Sequence, residues 1–264
     1  MSVIGAVSDK KQGGVLLIGA GPGDLELLTL KAVRALGRAD IVLLDDLVNP
    51  EIRQFCRHDA RIIPVGKRGG CRSTPQEFIN RLMRRYARQG LTVARVKGGD
   101  PCMFGRAGEE KAFLEASGVT VEVINGLTAG LVAATSIGVP LTDRRYTRGV
   151  TFVTGHTKEG GTPDWTALVA GGTTLVIYMG MKQMPMIVAG LQAAGMPLTM
   201  PVAVIANASL PHQAQVVTTL AQVQADARSA ALSSPAVIVV GEVVREAGVV
   251  PLSEMASSSL RIAL

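Results

Sequence analysis

Two glycine-rich corners carry most of the chemistry open to this chain of 264 residues. The first is Gly19-Ala20-Gly21-Pro22-Gly23-Asp24. The second is Lys97-Gly98-Gly99-Asp100-Pro101, which runs on through Phe104-Gly105-Arg106 to Glu109-Glu110. Each follows an apolar run that reads as a strand, and each brings a carboxylate. Glycine has no Cβ and adopts positive φ, so such corners let backbone approach a ligand closely. Two of them point to an enzyme acting on a small molecule. The first corner invites comparison with the dinucleotide fingerprint G-x-G-x-x-G, whose third glycine lets helix and strand pack closely. Asp24 fills that third slot here, and a carboxylate at a helix N-terminus would repel pyrophosphate. The corner suits another ligand. An NAD(P)-dependent oxidoreductase and a plain strand-to-helix turn that merely uses glycine stand beside that reading.

Charge and composition narrow the partners. A net charge of +6 and a pI near 9.5 suit an anionic partner, either nucleic acid or a polycarboxylate or phosphate ligand, with simple solubility as the plain alternative. Aromatic residues are only 3% of the chain, which leaves few stacking platforms for single strands, and no nucleic-acid recognition module is present. Cys56, Cys71 and Cys102 are scattered and form no CxxC pair, so neither a disulfide framework nor a zinc site is expected. A cytoplasmic location fits that cysteine usage. His58, His156 and His212 are too dispersed for a metal site. Met1 to Gly14 lacks the apolar stretch of a signal peptide. The apolar region from Thr173 to Ala208 is interrupted by Lys182, Gln183, Gln192 and several Pro and Gly. It has no run of the roughly 18 residues that a spanning helix requires. Neither a membrane nor a nucleic-acid partner is expected. Asn207-Ala208-Ser209 matches a glycosylation sequon, which means nothing in the cytoplasm.

The elements that must position these corners alternate. Hydrophobic residues make up 47% of the chain with few rings, which favours strands buried on both faces by helices. Periodicity predicts strands at Val15–Ile18, Ile41–Leu44, 61–65, Thr92–Val96 and Val119–Ile124, with helices at Leu25–Leu36, Glu109–Ala116 and Thr128–Ile137 between or after them. A further helix begins at Thr74-Pro75, where Glu77 completes a Thr-x-x-Glu box, and stops at Gly90. After Leu141-Thr142-Asp143-Arg144-Arg145 the pattern restarts. Strands are expected at Val150–Thr154, Thr174–Tyr178, Val202–Ile205 and Ala236–Val240. Helices are expected from Pro163 with Thr162 as cap, at Met184–Ala194 and at Leu220–Ala231. The chain therefore reads as two α/β domains, 14–143 and 149–248, with no tandem repeat and no low-complexity linker. A Ser-rich tail from Ser253 is expected to be loosely held.

The ordered series of motifs is similar to that of the tetrapyrrole methylases. To the two glycine corners it adds Asp45 after a strand, Gly66-Lys67-Arg68-Gly69-Gly70, Leu127-Thr128-Ala129, Val139-Pro140-Leu141-Thr142, Thr154-Gly155-His156 and Tyr178-Met179-Gly180. The similarity runs from about residue 14 to 245 and is strongest to members that act on uroporphyrinogen III. It implies a class III methyltransferase fold, two α/β domains with S-adenosylmethionine in the cleft between them, working as a homodimer. The implied reaction methylates uroporphyrinogen III at two pyrrole carbons, C2 and C7, and yields precorrin-2 for siroheme, cobalamin or heme d1. A later precorrin methyltransferase is the alternative within the same fold.

By the same match, cofactor contacts fall on Pro22, Gly98, Gly99, Asp100, Met103, Thr128, Ala129, Met179 or Met181, and Ala208. A lone Met is otherwise more often core filler. Asp45 is the implied proton acceptor and Lys67 the donor, with Arg106 and Glu109 as the rival catalytic pair. The substrate has eight carboxylates, and arginine grips carboxylate with a bidentate fork. Arg106, Arg144, Arg145, Lys67 and Glu109 are thus the substrate candidates, with Glu109 orienting Arg106. For each arginine and for Lys67-Arg68 a solvated surface role is the plain alternative, as a solvated strand end is for Asp45-Asp46. S-adenosylhomocysteine would be the spent cofactor, and no metal takes part. The family pattern differs at Cys102, Ala107, Asp143 and Ala208, which bears on the substrate pocket. Relatives in siroheme synthesis are often fused to a further module, and this chain reads as a stand-alone methylase.

Overall fold

The computed structural model describes residues 13–66, 74–155 and 161–248. The chain divides into two compact units, Met1–Ala129 and Gly130–Leu264. In the first unit, strands β1 (Gly14–Gly19), β2 (Ile41–Leu44), β3 (Arg61–Pro64), β4 (Val93–Lys97) and β5 (Thr120–Ile124) form one sheet in the order β3-β2-β4-β1-β5. Every pairing in it is parallel. Helices α1 (Leu30–Leu36), α2 (Gln76–Arg88) and α3 (Ala107–Glu115) connect the strands. Successive residues of a strand face opposite sides. Leu16, Ile18, Val42 and Leu44 accordingly pack with Ala32 and Leu36 of α1. Val15, Leu17, Ile41 and Leu43 pack with Met83 of α2 and Leu114 of α3. Burial on both faces is why these strands read as continuous apolar runs.

Two expected elements change form here. The single helix over Leu25–Leu36 is two pieces, a 3-10 turn at Leu25–Leu27 and then α1. Asp24 caps the turn by accepting from the Glu26 amide at 2.9 Å. Thr29 is extended and caps α1 by accepting from the Ala32 amide at 3.1 Å. Two capping side chains five residues apart restart the helix, which apolar spacing alone does not register. The Thr74–Glu77 capping box also does not form. Pro75 is the N-cap of α2 without a side-chain bond, and the Thr74 hydroxyl donates to the Gly66 carbonyl at 3.3 Å. A residue before proline is held away from helical geometry.

In the second unit, β6 (Val150–Thr154), β7 (Thr174–Tyr178), β8 (Pro201–Ala206), β9 (Ala214–Thr219) and β10 (Ala236–Val240) are ordered β6-β7-β10-β8-β9. Only β6 and β7 run parallel; β10 is antiparallel to β7 and β8, and β8 to β9. Helices α4 (Ala129–Ser136), α5 (Trp165–Ala170), α6 (Met184–Ala193) and α7 (Val223–Ser229) complete it. Leu175, Ile177, Val204 and Ile238 pack beneath Trp165, Ile187, Leu191 and Val223. Asp164 rather than Thr162 caps α5, accepting from the Ala167 amide at 3.0 Å. β9 has no counterpart in the sequence reading, because this edge strand is largely exposed and lacks an apolar run.

The units divide between Ala129 and Gly130, ahead of the joint expected at 143–149. Residues 130–149 are tied to the second sheet. The Gly130 amide donates to the Tyr178 hydroxyl at 2.7 Å, and a Cβ there would stand 2.6 Å from Val176 Cγ1. The Tyr146 hydroxyl donates to Glu246 at 2.8 Å, and the Gly248 amide to the Ile137 carbonyl at 3.2 Å. Among the described residues, no helix is long and apolar enough to cross a membrane.

Candidate active site

The two glycine corners of the first unit are one structure. β1 and β4 are neighbours, and beyond their ends Gly21 and Gly99 form an antiparallel bridge. Its bonds run from the Gly99 amide to the Gly21 carbonyl at 2.7 Å and back from the Gly21 amide to the Gly99 carbonyl at 3.2 Å. Behind the bridge, Gly19 and Gly126 lie backbone to backbone. A Cβ on Gly19 would stand 2.5 Å from the Gly126 nitrogen, and one on Gly126 would stand 2.4 Å from the Gly99 carbonyl oxygen. The chain leaves β1 toward β2 on one side of the sheet and leaves β4 toward β5 on the other. Crevices at such reversals, outside the carboxyl ends of parallel strands, are where α/β sheets take ligands.

Pro22, Gly98, Gly99, Asp100, Thr128 and Ala129 all lie at this carboxyl edge. Gly99 has φ +70°, and a Cβ there would look toward the Ala129 nitrogen and Thr128 Cα at 3.9 and 4.0 Å. The missing Cβ leaves bare peptide beside the residues that the motif match assigns to the cofactor, which suits an adenosyl ligand held by backbone. Asp100 also braces the corner. Its Oδ1 accepts from the Cys102 amide at 2.8 Å. Its Oδ2 accepts from the Gly126 amide at 3.1 Å and from Asn125 Nδ2 at 3.2 Å. A ribose contact would use its remaining lone pairs. Asp24 caps its own turn, as described above, so the first corner presents no free helix N-terminus for pyrophosphate.

Left-handed backbone gathers at the motif residues. Among the described residues the non-glycine examples are Phe104, Arg106, Met179, Asn207, Ser209 and Ala231. Such conformations cost about 1–3 kcal/mol each and cluster at functional sites. Phe104 and Arg106 follow Met103, and Asn207 and Ser209 flank the buried Ala208. Met179 is 50% exposed, whereas Met181 packs against the core of the second unit. The structure thus separates two methionines that the sequence left as alternatives.

Arg106 and Glu109 form an exposed bidentate pair, with Nε and Nη2 donating to Oε1 and Oε2 at 2.9 and 2.6 Å. The bond to Glu109 raises the Arg106 pKa above the ordinary arginine value, so the guanidinium keeps its charge and is no base. Asp45 lies at the end of β2. Its Oδ1 accepts from the Asp46 amide at 2.9 Å and its Oδ2 from Arg95 Nη2 at 3.1 Å. Lys67 lies outside the described residues. Arg144 is exposed on the turn after Leu141. Arg145 is committed to a lock within the second unit, pairing with Asp143 at 2.9 Å and Glu246 at 3.0 Å. Its hydrogen bond, with help from its own backbone amide, pulls the Asp143 carboxyl down to about 2.

Sequence reasoning missed the charge behind Asp45. Arg95 and Lys97 of β4 are buried, as is Glu110 of α3. Glu110 Oε1 accepts from Arg95 Nε at 3.3 Å, from Lys97 Nζ at 3.2 Å and from Gln76 Nε2 at 2.8 Å. Desolvation, and then the charge of Arg95, push the Lys97 pKa below the usual lysine range, while Glu110 opposes the shift. The signal was in Val93-Ala94-Arg95-Val96-Lys97, where two cations at strand spacing interrupt an apolar run. Among the described residues, no group of three or more His, Cys, Asp or Glu is placed to hold a metal.

A parallel sheet with paired glycine corners at its carboxyl edge defines an α/β enzyme of the small-molecule class. The chain belongs to the Tetrapyrrole (Corrin/Porphyrin) Methylases, which it matches over residues 14–224. It is 56% identical over 241 residues to a uroporphyrinogen-III C-methyltransferase of Pseudomonas aeruginosa, covering 91% of this chain and 98% of that one. The uroporphyrin-III C-methyl transferase from Thermus thermophilus, solved with S-adenyl homocysteine, superposes with a TM-score of 0.76 at 40% identity, covering 88% of this chain and 99% of that one. A cobalt precorrin-4 methyltransferase superposes with a TM-score of 0.80 at 27% identity, covering 91% and 99% of the two chains.

Proposed function

We infer that this chain methylates uroporphyrinogen III at two pyrrole carbons, C2 and C7, with S-adenosylmethionine as donor, and so forms precorrin-2. The observation that carries the reading is the Gly21–Gly99 bridge at the carboxyl edge of the sheet, in a chain 56% identical to a uroporphyrinogen-III C-methyltransferase. When bound, S-adenosylmethionine supplies a methyl group on a sulfonium and leaves as S-adenosylhomocysteine. Backbone at Pro22, Gly98 and Gly99, with Asp100, Met103, Thr128 and Ala129, holds the nucleoside in this reading. Met179 or Met181, and Ala208, are the further contacts that the motif match assigns. Arg106, oriented by Glu109, grips an acidic arm of the macrocycle, and Arg144 and Lys67 grip others. Holding the reactants in line is the main contribution of the protein. The pyrrole carbon forms the new C–C bond with its own electron pair. The cationic macrocycle then gives up a proton to Asp45, one for each methyl group gained; a proton that Lys67 delivers to one ring position is offset by a second leaving another, so the net loss stays at one. The chain works in this reading as a cytoplasmic homodimer without nucleic-acid or membrane partners, in line with its scattered cysteines and low aromatic content.

One observation favours a second reading, a later precorrin methyltransferase. The superposition on the cobalt precorrin-4 enzyme has a TM-score of 0.80, slightly above the 0.76 found for the uroporphyrin-III enzyme. Shape is shared across the family, whereas identity of 27% against 40% separates the two substrates. Incubation with uroporphyrinogen III and S-adenosylmethionine tests the choice. The absorbance of the oxidised dimethylated product is expected; no colour, together with turnover of a later precorrin, selects the second reading.

A further inference from the structure

The middle of the first sheet holds a network of charge that no step above uses. Arg95 and Lys97 leave the same face of β4 at 3% and 5% exposure, and Glu110 is wholly buried. Lys97 donates to both oxygens of Glu110 at 3.2 Å. Gln76 supports Glu110 from α2 and also donates to Asn80 at 3.0 Å. Arg95 turns one nitrogen to Glu110, a second to the Val96 carbonyl at 3.3 Å and the third outward to Asp45. Two cations thus face two carboxylates beside a core of Val, Leu, Ile, Met and Ala.

A buried ion network is weak evidence of a stabilising role. Buried ions give up hydration, and replacing buried ion pairs by well-packed apolar residues often leaves a protein as stable or more so. Of its two carboxylates, Asp45 is the one that reaches solvent. Asp45 is 34% exposed, while its partner Arg95 is 3% exposed. We propose that Arg95 is a positioning residue that acts through Asp45. Backed by Glu110, it fixes the plane of the Asp45 carboxylate at the carboxyl edge of the sheet.

The proposal rests on the reading of Asp45 as proton acceptor. In that step a C–H bond of the methylated cationic macrocycle breaks and its electron pair stays in the ring. The proton passes to Asp45 and then to water. While Asp45 is protonated, Glu110 continues to offset the charge of Arg95, so the guanidinium stays in place for the second turnover. Lys97 and Gln76 keep Glu110 aimed at Arg95.

A double-mutant cycle on the full chain tests this, with kcat, KM for uroporphyrinogen III and S-adenosylhomocysteine affinity read for each variant. Arg95→Gln is expected to lower kcat by roughly 10–100-fold, the size of effect that a small misplacement produces. KM and S-adenosylhomocysteine affinity should stay within about twofold. In the Asp45→Asn background the same change should cost nothing more, because its effect runs through the missing carboxylate. Additive losses, or an unchanged kcat in Arg95→Gln, overturn the proposal. A full rate in Asp45→Asn instead overturns the reading of Asp45, and the proposal with it. Should Arg95→Gln fail to fold, Arg95→Gln combined with Glu110→Gln removes one charge of each sign and is put through the same cycle with the same expected outcomes.

Discussion

Arg106 is the residue proposed to grip an acidic arm of the substrate. Its backbone is left-handed at φ 59°, so it opens α3 from outside helical geometry, and its guanidinium is squared to Glu109 by two bonds. Arg106→Ala should lose most turnover while S-adenosylhomocysteine binding is retained; a collapse of that affinity in calorimetry would remove Arg106 from the substrate side. Asp143 and Arg145 make a pH-dependent pair. The folded pKa of Asp143, about 2, lies below its ordinary 3.8. Its stabilising contribution is therefore complete above the ordinary value and is lost as pH falls through about 2. Carboxyl NMR should find that low midpoint, and Arg145→Gln should return it toward 3.8; an unmoved midpoint contradicts the pairing. The glycine corners were legible in the sequence because positive φ and close backbone approach leave a direct mark on residue type. The Arg95–Glu110 pair was not, since strand β4 and helix α3 meet only in the folded chain.

Among the elements, strand positions followed the apolar runs, with Val150–Thr154, Thr174–Tyr178 and Ala236–Val240 matching the sequence reading residue for residue. Helix ends were harder to place. Asp24, Thr29, Pro75 and Asp164 decide them through single hydrogen bonds or a fixed φ, and apolar spacing is blind to both. β9 was invisible because an exposed edge needs no apolar run. α6 packs against α5 through Gly190, where a Cβ would stand 2.3 Å from the Trp165 ring. Gly190→Ala should therefore destabilise the second unit by about 1–3 kcal/mol, the usual range for overpacking. Denaturant unfolding followed by Trp165 fluorescence measures this, since the chain has one tryptophan. An unchanged midpoint would mean that the helices can part without cost.

At the scale of the whole molecule, two α/β units were expected and two are found, with the division at Ala129–Gly130. The expected joint lay later because Asp143-Arg144-Arg145 looks like a loop between patterns. The lock of Arg145 and Tyr146 onto Glu246 makes that loop part of the second unit. Ligand binding offers a test on the intact chain. S-adenosylhomocysteine at a hundred times its Kd should stabilise the fold by about 2.7 kcal/mol, whereas nicotinamide dinucleotides should leave the melting temperature unmoved. The reverse pattern would return the first glycine corner to a dinucleotide.

The most direct measurement is the mass of the macrocycle after turnover with methyl-labelled S-adenosylmethionine and uroporphyrinogen III. A product carrying two labelled methyl groups on ring carbons, with two equivalents of S-adenosylhomocysteine released, is the expected result. Unaltered uroporphyrinogen III beside a later precorrin that gains the label would contradict it.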